Sequence, residues 1–423
     1  MRIAVVGAGI SGLCVAYFLR QRHDVTVFEA KDYVGGHTNT IDVSNEGQPL
    51  AVDTGFIVFN ERTYPNFCRL LSELGVESQL SDMSFSVRCD RTGLEYAGTG
   101  LNGLLAQRLN LLSPGFWRLI RDWRRFGRES QRLLQSADES LTVGEYFRQH
   151  PYSREFREQY FLPMGSAVWS CPHDRLEQFP MRFVVEFYHH HNLLTLDNPP
   201  PWRVIRGGSQ RYVAALQRRL SRQVEVNSPV KLIRRCDFRT VIQFASGQSK
   251  QFDHVVLACH ADQALRMLQA EATPTERGVL SSFEYEKNVA VLHTDVSLLP
   301  RLRRAWASWN YHVLAEPASK ATVTYNMNRL QGLKTKEVYC VTLNGEDRID
   351  PQRVLRTINY QHPVFSLARS SAQRRHRELI DHHGISYCGA YWGNGFHEDG
   401  VNSALAVCSV LQNMTEPAKV ANA

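Results

Sequence analysis

Near the N-terminus the apolar positions change their period within a few residues. Ile3 to Val6 is an unbroken apolar run, as a short strand requires, and Leu13, Ala16 and Leu19 then recur at helical spacing. Gly7-Ala8-Gly9-Ile10-Ser11-Gly12 lies between them, which predicts strand, glycine turn and helix in succession. A second strand is predicted from Val25 to Phe28. The apolar positions of Val224 to Val230 suit a buried strand, Asp253 to Cys259 suits another, and a helix follows from Ala261 to Leu268. The stretch from about 90 to 200 reads as mainly helical, whereas Val289 to Thr294 and Thr322 to Asn326 have strand character. Close to the C-terminus, Ile385 to Cys388 predicts a strand, and Val401, Ala404, Leu405, Val407, Cys408 and Leu411 share helical spacing.

Between Phe116 and Gln135 the pattern predicts an amphipathic helix. Arg118, Arg121, Arg125, Arg128 and Arg132 form one stripe, and Leu119, Ile120, Trp123, Phe126, Leu133 and Leu134 supply an apolar partner face. Docking on an anionic membrane surface accounts for this pattern, and so does an ordinary helix packed on its own core with a solvated basic face.

The composition, 423 residues with 43% apolar and 22% charged, is that of a soluble globular chain with room for two domains. Forty-nine basic against 42 acidic residues leave a net charge of +7, a modest excess that gives no reason to expect nucleic acid as a partner. The nine cysteines are scattered without a C-x-x-C pair, so neither a disulfide framework nor a structural zinc is expected. The N-terminus enters a strand at once, leaving no room for a signal peptide, and no apolar run reaches the roughly 20 residues of a membrane span. The expected compartment is the cytoplasm, with membrane association as an option, and Thr415 to Ala423 reads as a disordered tail.

The glycine turn carries the first chemistry. Gly7 permits the tight turn, Gly9 lets backbone approach a pyrophosphate, and Gly12 lets helix and strand pack closely; Ser11 stands at the helix N-terminus, where the diphosphate belongs. Glu29, at the end of the second strand, is placed to accept from ribose hydroxyls. This context specifies a dinucleotide site, which FAD and NAD would fill equally well.

Three further segments bear on that choice: Glu29-Ala30-Lys31-Asp32-Tyr33-Val34-Gly35-Gly36-His37, Val52-Asp53-Thr54-Gly55-Phe56, and GAYWGNGFHEDGVNSAL at 389 to 405. Together they resemble the FAD-dependent amine oxidase, phytoene desaturase and protoporphyrinogen oxidase superfamily. Ser308-Trp309-Asn310-Tyr311, Thr324 to Gln331 and Gly395 to Gly400 look more narrowly like bacterial stand-alone flavoproteins similar to the N-terminal region of plant cyclopropane fatty acid synthases. The resemblance implies an α/β fold: a Rossmann-type FAD-binding domain from 1–90, 201–264 and 381–414, with an inserted α+β substrate domain from 91–200 and 265–380. It implies that Gly35 and Gly36, followed by His37 and Thr38, run beside the FAD diphosphate and ribityl chain, with Gly55 and Phe56 nearby and Val230 against adenine. Tyr33 and His37 stand where the superfamily commonly has arginine. It also implies that the amides opening the last helix, at Asp399, Gly400 and Val401, face the flavin. Gly389-Ala390 lacks the acidic residue usual at that junction, so Glu398 or Asp399 either replaces it or caps the helix.

The superfamily's amine oxidases place a lysine on a substrate-domain strand, and the matching position falls at Lys287-Asn288, with Asn288 as the candidate inward residue. Trp392 and His397 are the other side chains expected to touch substrate. His397-Glu398-Asp399 and His189-His190-His191 invite a metal reading, but adjacent side chains converge poorly on one ion and no metal is expected. Cys259-His260 reads either as a thiol and base or as packing at a strand end. Trp169, Phe183, Phe187, Trp306, Trp309, Tyr311 and Tyr325 suit either an apolar tunnel or a core. The resemblance therefore leads to an FAD-dependent oxidoreductase that desaturates or oxidises a fatty acyl chain of a lipid by hydride transfer to flavin. A flavin amine oxidase or polyene desaturase is the alternative within that class. A non-catalytic flavoprotein presenting lipid to an acyl-chain methyltransferase is the alternative outside it.

Overall fold

The computed structural model describes residues 1–135, 140–191, 194, 200–236, 239–315 and 320–414; the tail expected at 415–423 lies outside the described residues. The first strand, Arg2–Val6, takes the centre of a parallel sheet because its apolar run is covered on both faces. Asp24–Phe28 pairs on one side, His254–Leu257 on the other, and Ile385–Tyr387 completes the four-stranded order beyond it. Three distant stretches of chain thus build one nucleotide-type sheet. The first helix (Ile10–Leu19) and the last (His397–Leu411) pack together over it. The first helix is buried almost all round, which explains why its sequence is apolar on every face.

A second, seven-stranded sheet faces the first across a cavity. Its order is Val354–Pro363, Tyr285–His293, Cys340–Leu343, Val323–Asn326, Trp309–Val313, Phe85–Cys89 and Glu95–Ala97. Phe85–Cys89 pairs in parallel with Trp309–Val313, so the chain has already crossed to this sheet before residue 90, where sequence reasoning put the boundary. Helices Pro114–Glu129, Leu162–Trp169 and Met181–His190 form a cap on the same half.

Two expected elements are corrected. The strand expected over Val224 to Val230 begins only at Val230 and runs to Cys236. Residues 225–228 instead bond as irregular backbone along the edge of Phe28–Lys31, and Asn227 adopts a left-handed conformation that ends any regular run. The helix expected from Phe116 to Gln135 stops at Glu129 and resumes as Gln131–Gln135. Its apolar side, including Leu119 and Phe126, is buried in the protein's own core. No helix among the described residues is long and apolar enough to cross a membrane.

Candidate active site

Between the two sheets lies a cavity of about 1080 Å³. Pockets for small ligands usually span roughly 300–1,000 Å³, so this one has space for a dinucleotide and a substrate together.

Its nucleotide end is made of backbone. A Cβ on Gly12 would stand 2.0 Å from the Gly7 carbonyl oxygen, so the absent side chain is what lets the first helix close on the first strand. A Cβ on Gly9 would meet nothing within 4 Å, because Gly9 faces the cavity. Gly36, with φ +61°, backs onto Gly9 so closely that a Cβ there would lie 3.2 Å from the Gly9 Cα. The two glycine turns are joined by Gly35 N–H donating to the Ala8 carbonyl at 2.9 Å. Glu29 accepts from Ala8 N–H (2.8 Å) and Lys31 N–H (3.0 Å), which fixes its carboxylate on the cavity wall. Ser11 and Val230 also line the cavity. An open cradle between paired glycine turns, beside a helix N-terminus and a fixed carboxylate, fits a dinucleotide diphosphate and ribose.

The other expected cofactor residues divide. His37, Gly55, Phe56 and Gly389 line the cavity. The structure places Thr38 behind the wall, buried, with its hydroxyl bonded to Tyr212 Oη (2.5 Å) and His397 Nε2 (2.9 Å). Gly400 packs so tightly on Ile10 and Ser11 that a Cβ would lie 2.8 Å from the Ile10 side chain, and Val401 is core. Asp399 turns back to accept from Phe396 N–H at 2.9 Å, so it caps the last helix; burial raises its pKa to about 6. The residues of the C-terminal segment that reach the cavity are instead Gly389 to Tyr391 and Asn394 to His397. Glu398 clamps a different helix, accepting from Asn66 N–H (3.1 Å) and Phe67 N–H (2.9 Å) at the start of Pro65–Leu74.

Of the three expected substrate-contacting residues, Trp392 is displaced. Its ring stacks on His376 at 4.2 Å and packs toward Phe283, outside the cavity lining. His397 lines the cavity but is locked, with its ring stacked on Phe56 at 3.4 Å and Nε2 bonded to Thr38 and Tyr212. Burial pushes its pKa down to about 3, so it is a neutral wall element rather than an acid or base at neutral pH.

Asn288 and Lys287 both line the cavity, Asn288 buried and Lys287, beside it on the same strand, solvent-exposed at the rim. Val289 N–H donates to Asn344 Oδ1 (3.0 Å), Asn344 Nδ2 donates to Asn288 Oδ1 (2.7 Å), and Asn288 Nδ2 donates to His362 Nδ1 (2.9 Å). This relay runs from backbone to imidazole and leaves the His362 proton on Nε2. Burial lowers the His362 pKa to about 4, so the ring stays neutral.

Sequence reasoning missed His362 and Tyr360, and did not bring His37 and His260 together with them. His37 lies 5.0 Å from Tyr360 in a stack, 5.5 Å from His362 and 6.1 Å from His260, between ring centroids. Period-two spacing of Tyr360 and His362 would have put both on one strand face. Arg369, fully buried, also escaped notice. Its guanidinium donates to the carbonyls of Tyr391 (3.2 Å) and Gly393 (2.9 Å) and so holds the turn that opens the last helix. Cys259 is pushed up to about 12 by burial and His260 stacks on Tyr285, so that pair packs rather than forming a thiolate and base.

Trp169, Phe187, Trp309 and Tyr325 wall the cavity; Phe183, Trp306 and Tyr311 are outside the lining. Among the described residues, Glu29, at the nucleotide end, is the one carboxylate that lines the cavity. Among the described residues no three His, Cys, Asp or Glu side chains are grouped to hold a metal, and His189 and His190 are exposed while His191 is sandwiched by Phe187 and Trp202.

Residues 10–292 match the family model described as flavin containing amine oxidoreductase. The chain is 27% identical over 256 residues to AofH of Mycobacterium tuberculosis, covering 59% of this chain and 54% of that protein. The chain therefore spans about half the length of the curated relatives it matches. Among solved structures it is similar to cyclohexylamine oxidase from Brevibacterium oxydans (TM-score 0.67, 16% identity, 97% and 99% of the two chains). It is equally similar to a CLA-producing fatty acid isomerase from P. acnes (TM-score 0.68, 15% identity, 98% and 99%). At such identities the likeness establishes the fold alone.

Proposed function

The chain belongs to the flavin containing amine oxidoreductase family, with FAD as its cofactor, and we propose that it is an FAD-dependent oxidoreductase acting on an apolar acyl chain of a lipid. The fold leaves the substrate open, since it serves both amine and fatty acid enzymes. The observation that carries the choice is the make-up of the substrate end. Its walls are rings and aliphatic side chains such as Met164, Val168, Trp169, Phe187, Phe365 and Phe396, and among the described residues no carboxylate lines this end to receive an ammonium group. Asn288, not Lys287, is the buried residue at the position where the amine oxidases carry their lysine, and Lys287, though it lines the cavity, is solvent-exposed; the burial of Asn288 supports the same reading.

When bound, FAD supplies the hydride acceptor for desaturation or oxidation of that chain. The glycine cradle at Gly9 and Gly36 would hold its diphosphate, and Glu29 its ribose. The aromatic walls would align the acyl chain and exclude water. The neutral His362, oriented through Asn288 and Asn344, offers an Nε2–H to a polar atom at the reacting end without adding charge to an apolar site.

The test is anaerobic. Purified holoprotein should be yellow and should be bleached by unsaturated or methyl-branched phospholipids. Bleaching by small amines and by no lipid would sink the proposal, and full FAD occupancy without reduction by any lipid would favour a non-catalytic lipid-presenting role.

A further inference from the structure

Nine large apolar side chains stand exposed among the described residues, and five of them, Leu101, Leu109, Leu111, Leu112 and Trp117, lie between residues 101 and 117, at 47% to 80% exposure. Scattered exposed leucines need no explanation, but a cluster does. The residues this segment turns inward deepen the contrast: Gly103, Ala106 and Asn110 are buried while the leucines around them face out. That is the reverse of how a water-facing segment is patterned.

The leucines are held out on a fixed support. Arg108 donates to Asn102 Oδ1 at 3.1 Å, tying the turn Arg108–Leu112 to the turn Leu101–Leu104. Trp117 Nε1–H donates to the Leu111 carbonyl at 2.9 Å, tying that turn to the helix Pro114–Glu129. Trp117, Arg121, Arg124 and Arg128 then follow at spacings of four, three and four, so exposed arginines continue the helix face that Trp117 heads. From 101 to 135 there are seven arginines and two acids. Both acids are engaged within the fold, Asp122 with Arg121 and Ser153 N–H, and Glu129 with Arg125 and Tyr152.

We propose that this surface docks the protein on an anionic phospholipid bilayer, with Trp117 and the leucines entering the headgroup boundary and Arg121, Arg124 and Arg128 on the phosphates. The inference goes beyond the acyl-chain reading and does not depend on it. The docking face differs from the one the helix pattern first offered, because Leu119 and Phe126 are consumed by the core. A second copy of this chain fits worse, since a two-fold contact would set arginines against arginines. Phe126 shares one apolar cluster with Met164, Trp169 and Phe187, so the docking face and the cavity wall are two sides of the same helical cap.

Co-sedimentation of the holoprotein with vesicles tests this. Vesicles of equal parts phosphatidylcholine and phosphatidylglycerol should bind it on the order of tenfold more than phosphatidylcholine alone, and high salt should erase the difference. The double variant L109D/L112D and, separately, the double variant R124E/R128E should lose that binding while keeping the parent's melting midpoint and flavin spectrum, because all four side chains are exposed and Arg121 is left on Asp122. No preference for anionic vesicles, or binding unchanged in both variants, would overturn the proposal. So would a concentration-dependent dimer that L109D/L112D dissociates in a protein that ignores vesicles, since that outcome assigns the surface to a second copy.

Discussion

The two ends of the cavity are built from different material. At the nucleotide end the wall is backbone, with Gly9 and Gly36 back to back and Glu29 bonded to main-chain N–H groups. At the substrate end the wall is side chain, contributed by strands and helices far apart in sequence. A backbone wall fails when a Cβ appears; a side-chain wall fails when a partner is lost or a ring becomes charged.

The strongest way to break this contrast is within the glycine turn itself. Gly12→Ala puts a methyl 2.0 Å from the Gly7 carbonyl and should cost more than about 3 kcal/mol, read as loss of soluble protein or of the melting transition. Gly9→Ala, three residues away, meets no atom within 4 Å and should leave the melting midpoint of the flavin-free protein nearly unchanged. The same methyl occupies the cradle, so FAD affinity should fall at least about tenfold by fluorescence titration. Full FAD retention in Gly9→Ala would refute the backbone cradle.

Next in size is the response to acid. Burial lowers His173, His191, His254, His293 and His362 to about 4 and His397 to about 3, and three of these line the cavity. A folded-state pKa below the ordinary 6.5 means the unfolded chain binds more protons between the two values. The stabilisation is complete above about pH 6.5 and is lost as the pH falls toward 4. Asp53 and Asp399, raised to about 6 by burial, act in the opposite sense, since their contribution is lost as the pH rises through 6. Six groups against two predict that the melting midpoint drops between pH 7 and pH 5; a flat or rising midpoint would contradict the burial of these rings.

A smaller effect is expected from Asn288→Ala, which removes the donor that sets the His362 tautomer. FAD should stay bound while the rate of anaerobic flavin reduction by whichever substrate bleaches the parent falls about tenfold. An unchanged rate would mean that His362 does not address the reacting end. Smallest of all is Trp392→Phe. With its ring stacked on His376 outside the cavity, turnover should stay within about twofold and stability within about 1 kcal/mol.

These expectations follow the line between what was legible in the sequence and what was not. The strand–turn–helix at the N-terminus, the separate jobs of Gly9 and Gly12, and the last helix were all readable. Each is decided by residues within a few positions of one another, where backbone geometry admits only glycine or an apolar period. The readings that went astray concern the directions of side chains. Trp392 stands in the right segment but turns away from the cavity because His376 offers a ring, and of the two jobs left open for Asp399 the structure gives it the helix cap, because the Phe396 N–H needs an acceptor. Whether Lys287 or Asn288 points inward could not be read from an apolar pattern that begins only at Val289, and pairing with Val354–Pro363 decided it.

By itself the sequence determined the local turns, the strands of the first sheet, two of the seven strands of the second and the family resemblance, because those depend on short-range sterics and periodicity. Only the tertiary structure decided which side chains share the cavity. Asn288 meets His362 across 74 residues and Thr38 meets His397 across 359, and contacts at such separations are set by how sheets and helices stack, which no local pattern encodes.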